Sequence, residues 1–269
     1  MTYTLVSFHA HPDDEALLTA GTLAKAAAEG HRVVLVVATS GEAGLAEVGD
    51  SGRLGATRSA ALEASATVLG CHRLVQLGYP DSGLHSEFGD RGGFAGLDVD
   101  EPARRLAEIL REESADVLTV YDARGGYGHP DHIQVHHVGH RAAELAGTPL
   151  VLEATVNRRA LVRAAQAIRW TRLAPKDFSP ERMRKVYSDP DEITHRVDVG
   201  AYIGQKRASM QAHVTQSTGG DGPRTLAFCL RLPRWLYRRA FGHEWFIERG
   251  RTPGPDLSTD IFDSLMSTH

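Results

Sequence analysis

Residues 3–38 read YTLVSFHAHPDDEALLTAGTLAKAAAEGHRVVLVVA. Tyr3–Ala10 is an apolar run of strand length. Glu15–Glu29 sets Leu17, Leu18, Leu23 and Ala24 at helical spacing, and Gly30 stops it. Arg32–Ala38 holds the unbroken run Val33–Val37, which predicts a strand covered on both faces. Strand, helix and covered strand in this order form a βαβ unit, whose two strands run parallel.

The same alternation continues outward. Helices are expected at Arg53–Leu69 (stopped by Gly70), Asp100–Glu113, Asp131–Ala146 (stopped by Gly147) and Arg158–Trp170. Strands are expected at His72–Leu77, Asp116–Tyr121 and Pro149–Val156. The fold class is therefore α/β: a Rossmann-like, mostly parallel sheet with helices on both faces. Beyond Ala174 the pattern is less regular, with a helix expected at Ala201–Ala212 and a strand at Glu244–Glu248. With no linker or internal repeat, one domain is expected over residues 1–269, a core over 1–174 and a C-terminal extension over 175–269. Right-handed crossovers put the strand C-termini on one edge, where such sheets bind ligands. Chemistry is thus expected in segments that follow strands, and the Gly-, Asp- and Ser-rich loop Gly78–Gly96 is long enough to be functional.

With 269 residues and 42% hydrophobic content, the chain can bury a full core. A net charge of -4 gives no pull toward nucleic acid or an anionic membrane. Cys71 and Cys229 stand alone, which excludes a thiolate metal motif and predicts buried free thiols in a reducing compartment. The start lacks a basic signal-peptide region and no run is long enough to span a bilayer, so a cytoplasmic protein is expected.

Two segments carry the chemistry. His11-Pro12-Asp13-Asp14-Glu15 follows the first strand, and Gly125-Gly126-Tyr127-Gly128-His129-Pro130-Asp131-His132 follows the strand ending near Tyr121. Each opens a helix, with Pro where a helix start tolerates it. Adjacent carboxylates at Asp13 and Asp14 repel unless a divalent cation lies between them, although Asp at a helix start is often only a cap. Five of the 14 His fall in residues 129–140, and His132 with His136 could form an i, i+4 ligand pair. Spacing alone leaves the ligand set open. His9 reads as a buried, hydrogen-bonded histidine. In Arg224–Arg251, seven Arg interleave with aromatic residues, a pattern expected of an amphipathic helix and strand with solvated Arg.

HPDDE near the N-terminus together with GYGHPDH in mid-chain resembles the LmbE-like (PIG-L) family of zinc-dependent N-deacetylases. The resemblance covers residues 3–156 and continues weakly at Lys206–Gln216, with its segment Ala212-His213-Val214-Thr215-Gln216. It implies His11, Asp14 and His132 as metal ligands, with zinc (Zn2+) as the metal and ferrous iron (Fe2+) as the alternative. Asp13 matches the general base, and His129 the residue that stabilises the tetrahedral intermediate. Asp131 matches the acid that orients or tunes that histidine, and Tyr127 a tyrosine that hydrogen-bonds the reacting carbonyl. Arg58 and Asp81 match substrate-binding positions more loosely.

The implied reaction is hydrolysis of an N-acetyl group on an amino-sugar-containing small molecule. An amidase acting on a mycothiol-type S-conjugate is the nearest rival, and a non-catalytic sugar- or nucleotide-binding domain is a rival of another class. A closed structural zinc site is disfavoured because such sites use four ligands, often Cys. No GxSxG is present, and Pro12-Asp13-Asp14 stands where a dinucleotide-binding loop needs glycines. Nucleic-acid partners and membrane insertion are not expected; homo-oligomerisation is left open.

Overall fold

The computed structural model describes residues 1–41, 51–83, 92–169, 181, 184–216 and 221–266. Its seven-stranded sheet runs in the order β3-β2-β1-β4-β5-β7-β6. The strands are β1 (Thr4–His9), β2 (Arg32–Thr39), β3 (Arg73–Tyr79), β4 (Val117–Tyr121), β5 (Leu150–Thr155), β6 (His195–Asp198) and β7 (His243–Glu248). The first five are parallel, whereas β7 runs antiparallel to both β5 and β6. Chain order reverses on either side of β1, so the loops after β1 and β4 face each other across a topological switch point.

The run Val33–Val37 is fully buried between β1 and β3, as its lack of alternation predicts. The helices described are α1 (Asp14–Leu18), α2 (Ala20–Ala28), α3 (Ser51–Leu69), α4 (Asp100–Glu112), α5 (Pro130–Ala146), α6 (Arg158–Arg169), α7 (Ile203–Gln216), α8 (Asp221–Leu230), α9 (Arg234–Phe241) and α10 (Asp263–Met266). For α5, Pro130 fixes the first turn and Gly147 ends the helix at φ 74°. α3 packs on α7, and α4 packs on α5.

The sequence reading is corrected in four places. The single helix expected over Glu15–Glu29 is two helices, broken at Thr19 with φ -129°. Thr19 turns its hydroxyl onto His9 Nε2 at 3.0 Å. Strand β6 was not expected: its four residues alternate buried and exposed and carry no apolar run. Helix α8 was likewise not expected, whereas α9 and β7 supply the helix and strand expected of the Arg-rich stretch. There Tyr237 is buried as expected, while Trp235 points outward at 70% exposure. Finally, Cys71 is only partly buried; Cys229 is buried, and both are free. Trp170 and much of the loop Gly78–Gly96 lie outside the described residues. β6 and β7, both beyond residue 174, complete the sheet of the preceding core.

Candidate active site

Three loops meet at the sheet edge, each leaving the C-terminal end of a strand. The loop after β1 carries His11, Asp13 and Asp14; that after β3 carries Asp81; and that after β4 carries Asp122, Tyr127 and His129, leading into Asp131 and His132 on α5.

Asp14 Oδ2 is the meeting point. It accepts the His11 backbone N–H at 2.9 Å and lies 3.3 Å from His11 Nδ1 and 3.2 Å from His132 Nε2. His11 and His132, separated by more than a hundred residues of sequence, therefore converge on one oxygen of Asp14. Burial alone would push the Asp14 carboxyl up, but His132 and His11 hold it well below the carboxylate range. The other nitrogen of His11, Nε2, faces Asp131 Oδ2 at 3.1 Å and Asp81 Oδ1 at 3.4 Å. Burial would pull the His11 imidazolium down, yet Asp131, Asp14 and Asp81 outweigh it and raise the group well above 6.5.

Several features of this cluster fit a divalent cation. Both ring nitrogens of His132 are buried without a hydrogen-bond partner, as is Asp131 Oδ1. His11, His129 and His132 offer nitrogens all within 4.8 Å of one another, and His11, Asp81, His129 and Asp131 form an overlapping set. Buried carboxylates this close repel one another, and a cation removes that repulsion. The donors are imidazole nitrogen and carboxylate oxygen, the types a hydrolytic zinc site uses.

Asp13 caps α1 with its backbone at φ 108° and ψ -21°. A non-glycine residue in this region costs about 1–3 kcal/mol and persists only where its surroundings enforce it. Its N–H donates to Glu15 Oε2 at 3.1 Å. Burial and the adjacent Asp14 charge push the Asp13 carboxyl up to about 7, opposed by Arg58 and His213.

His129 is the N-cap of α5, and its Nδ1 accepts the Asp131 N–H at 3.1 Å. That bond leaves the proton of the neutral ring on Nε2. Burial, then the neighbouring His11 and His132, bring its pKa down to about 4, so the ring is neutral at pH 7. Asp131 thus meets His129 through its backbone amide, while its carboxylate holds His11 and accepts the Ser82 N–H at 3.0 Å. Tyr127 is half exposed, with its ring 5.0 Å from that of His132 and 6.0 Å from that of His129. Asp81 accepts the Gly83 N–H at 2.8 Å in addition to facing His11. Arg58 is buried: it donates to the Gly41 carbonyl at 2.7 Å and lies 3.7 Å from Asp13 Oδ2. It sits behind Asp13 rather than standing open to solvent.

The sequence reading missed two residues that build the site. Tyr121, at the end of β4, stacks flat on His132 with ring centroids 4.1 Å apart and planes 4° apart. Its hydroxyl oxygen accepts the Ala10 N–H at 3.2 Å, tying β4 to the loop after β1. Asp122 is fully buried and accepts from Gly126 N at 3.0 Å, Thr155 Oγ1 at 2.6 Å and Ser188 N at 2.9 Å. An Asp shortly before Gly-Gly after a strand is a turn signal that could have found it. The turn needs Gly125, at φ 61°, because a Cβ there would lie 2.8 Å from the Ile133 backbone nitrogen.

His9 is buried and bonded to Ser7, Thr19 and Tyr121, as its structural reading predicts. His136 turns away from His132 and bonds the Tyr121 carbonyl through Nδ1 at 3.1 Å. It belongs with His140 and Glu153 to a separate cluster whose bonds close on themselves. His140 Nε2 meets Glu153 at 2.8 Å, and Arg249 donates to His140 Nδ1 at 3.0 Å. Among the described residues, no helix is long and apolar enough to cross a membrane.

Comparison with known proteins places this geometry in a family. Residues 6–143 match the profile of PIG-L, described as GlcNAc-PI de-N-acetylase. The chain is 40% identical to 1D-myo-inositol 2-acetamido-2-deoxy-alpha-D-glucopyranoside deacetylase of Streptomyces griseus, over 81% of this chain and 76% of the relative. It is 35% identical to the protein of that name from Acidothermus cellulolyticus, over 92% of this chain and 89% of the relative. The fold is also that of N,N'-diacetylchitobiose deacetylase from Pyrococcus horikoshii, with a TM-score of 0.58, 22% identity and coverage of 91% and 83% of the two chains. From the shared fold, the matched profile and the relatives' identity over most of their length, the chain belongs to the PIG-L family.

Proposed function

We propose that this chain is a zinc-dependent deacetylase that removes the N-acetyl group from an amino-sugar-containing small molecule. The observation that carries the reading is the convergence of His11 and His132 on one oxygen of Asp14, with Asp13 beside it. The names of the relatives supply the substrate class.

His11, Asp14 and His132 would hold the ion. When bound, a zinc ion lowers the pKa of water to about 7 and polarises the amide carbonyl. Asp13 then accepts the proton of the attacking water on its carboxylate. Having taken that proton, the Asp13 carboxyl can give it back, here to the leaving amine. His129 is neutral and presents Nε2–H to the developing oxyanion, with the Tyr127 hydroxyl as a second donor. Asp131 and Asp81 hold His11 from its far side. Arg58 keeps Asp13 in place from behind, and the loop that carries Asp81 is where a sugar would be contacted. The products are acetate and a free amine.

We read residues 1–269 as one domain because β6 and β7 join the sheet of the core. The free Cys71 and Cys229 support a reducing, cytoplasmic setting. The test is acetate and free-amine detection by the zinc-loaded protein across a panel of N-acetylated amino sugars, with a mycothiol-type S-conjugate alongside. Release from at least one acetylated sugar is expected. Release from the S-conjugate alone would make the chain an amidase, and no release from any compound would refute the hydrolase reading.

A further inference from the structure

The most strained described residue near the cluster is Asp13, and its surroundings show what enforces that conformation. Its side chain makes no cap bond, so the helix start does not explain the positive φ. Its backbone N–H instead donates to Glu15 Oε2 at 3.1 Å. Glu15 is fully buried, and its other oxygen, Oε1, accepts from Ser65 Oγ at 2.7 Å and from His213 Nε2 at 2.6 Å. Ser65 lies on α3 and bonds Ser209 of α7 at 2.7 Å. His213, also on α7, is 1% exposed. The carboxylate of Glu15 is thus tied at one oxygen to two helices and at the other to the backbone of Asp13.

We propose that the Glu15–His213 pair positions Asp13: Glu15 holds the Asp13 N–H, and with it the left-handed backbone that sets the Asp13 carboxylate beside Asp14 and Arg58, while His213 holds Glu15. This inference rests on the proposed function, in which Asp13 is the base. It gives the C-terminal region a part in the chemistry, because His213 lies on α7. Neither residue needs to touch substrate; both act through Asp13, which makes them positioning residues.

A double-mutant cycle of His213→Ala with Asp13→Ala tests the inference, with kcat, KM and melting temperature measured for each protein. In the otherwise wild-type enzyme, His213→Ala is expected to lower kcat at least ~10-fold and leave KM within about twofold, because a misplaced base slows the chemistry more than binding. In the Asp13→Ala background the same change is expected to cost less than about twofold, since the residue it positions is gone. His213→Gln, which keeps an N–H donor for Glu15, is expected to recover kcat to within about fivefold of wild type. If His213→Ala melts below the assay temperature, His213→Gln carries the cycle alone. The inference is overturned if folded His213→Ala keeps kcat within about twofold of wild type. It is equally overturned if the two losses multiply in full, or if His213→Gln recovers nothing. A wild-type protein with no deacetylase activity would refute the proposed function instead. The inference is then decided by a crystal structure of the His213 variant, with Asp13 relaxed to negative φ as the expected result and Asp13 still at positive φ as the contrary one.

Discussion

Lys206→Met should destabilise the protein far more than a surface charge would. Lys206 is 1% exposed, its Nζ lies 2.5 Å from Glu244 Oε1, and it donates to the Leu17 carbonyl at 2.8 Å. Glu244, on β7, is 2% exposed and accepts the N–H groups of Gly21 at 2.9 Å and Thr22 at 2.8 Å in the first turn of α2. The pair therefore joins α7, β7 and the end of α1 beside the catalytic loop. Removing the ammonium leaves a buried carboxylate with two backbone amides and no counter-charge, a change that costs about 3–5 kcal/mol. For a chain of this size, 1 kcal/mol moves the melting temperature by about 2–4 °C, so a drop of roughly 6–20 °C is expected. Urea unfolding followed by circular dichroism gives the free energy directly. Adding Glu244→Gln should restore part of the loss, because the amide oxygen still accepts an N–H and no charge is left unpaired. A single-variant loss below about 1 kcal/mol, or a double variant whose losses add, would show that water or a neighbour compensates the charge and would refute the reasoning.

Other perturbations have equally definite outcomes. His132→Ala should abolish stoichiometric metal binding and activity together, and retained metal on equilibrium dialysis would remove His132 from the ligand set. Gly139→Ala should cost about 1–3 kcal/mol despite the better helix propensity of Ala, because the new Cβ would lie 2.3 Å from Val120 Cγ1; a higher melting temperature would contradict the packing. Glu113 accepts from Arg32 at 2.5 Å and from Arg73 at 2.7 Å, and Arg32, against a small burial penalty and with help from Arg73, holds its carboxyl below 4.5. A depressed carboxylate stabilises above its unfolded pKa and loses that contribution as pH falls through the folded one. Glu113→Gln should thus cost about 1 kcal/mol at pH 7, the cation partners being partly exposed, and the cost should shrink as pH falls below 4.5. Urea titrations at several pH values showing a constant difference would overturn this assignment.

Local pattern was enough to place β1 to β5, because each holds apolar residues bounded by Gly or a polar turn; β1, β2, β4 and β5 are largely buried, and the edge strand β3 is mostly half-buried. From that alternation the parallel sheet and the edge bearing the chemistry both follow. β6 escaped because an edge strand of four residues needs no apolar run: its alternate side chains face solvent, and β7 supplies its pairing. Thr19 escaped because its partner His9 meets it only in the folded state. The same division holds at the site. His11, Asp14 and His132 stand in short motifs after strands and were legible as a set through resemblance. Tyr121 supports His132 across 11 residues and His213 reaches Glu15 across 198, contacts that no local pattern encodes. Arg58 was visible only as a residue near the start of a long helix, and its burial against Asp13 depends on how α3 packs.

Anomalous diffraction at the zinc edge, from crystals of the zinc-loaded protein, tests the metal site most directly. One strong peak is expected, about 2.0–2.2 Å from a ring nitrogen of His11, an oxygen of Asp14 and a ring nitrogen of His132. No peak there, or a peak at His136, His140 and Glu153 alone, would contradict it.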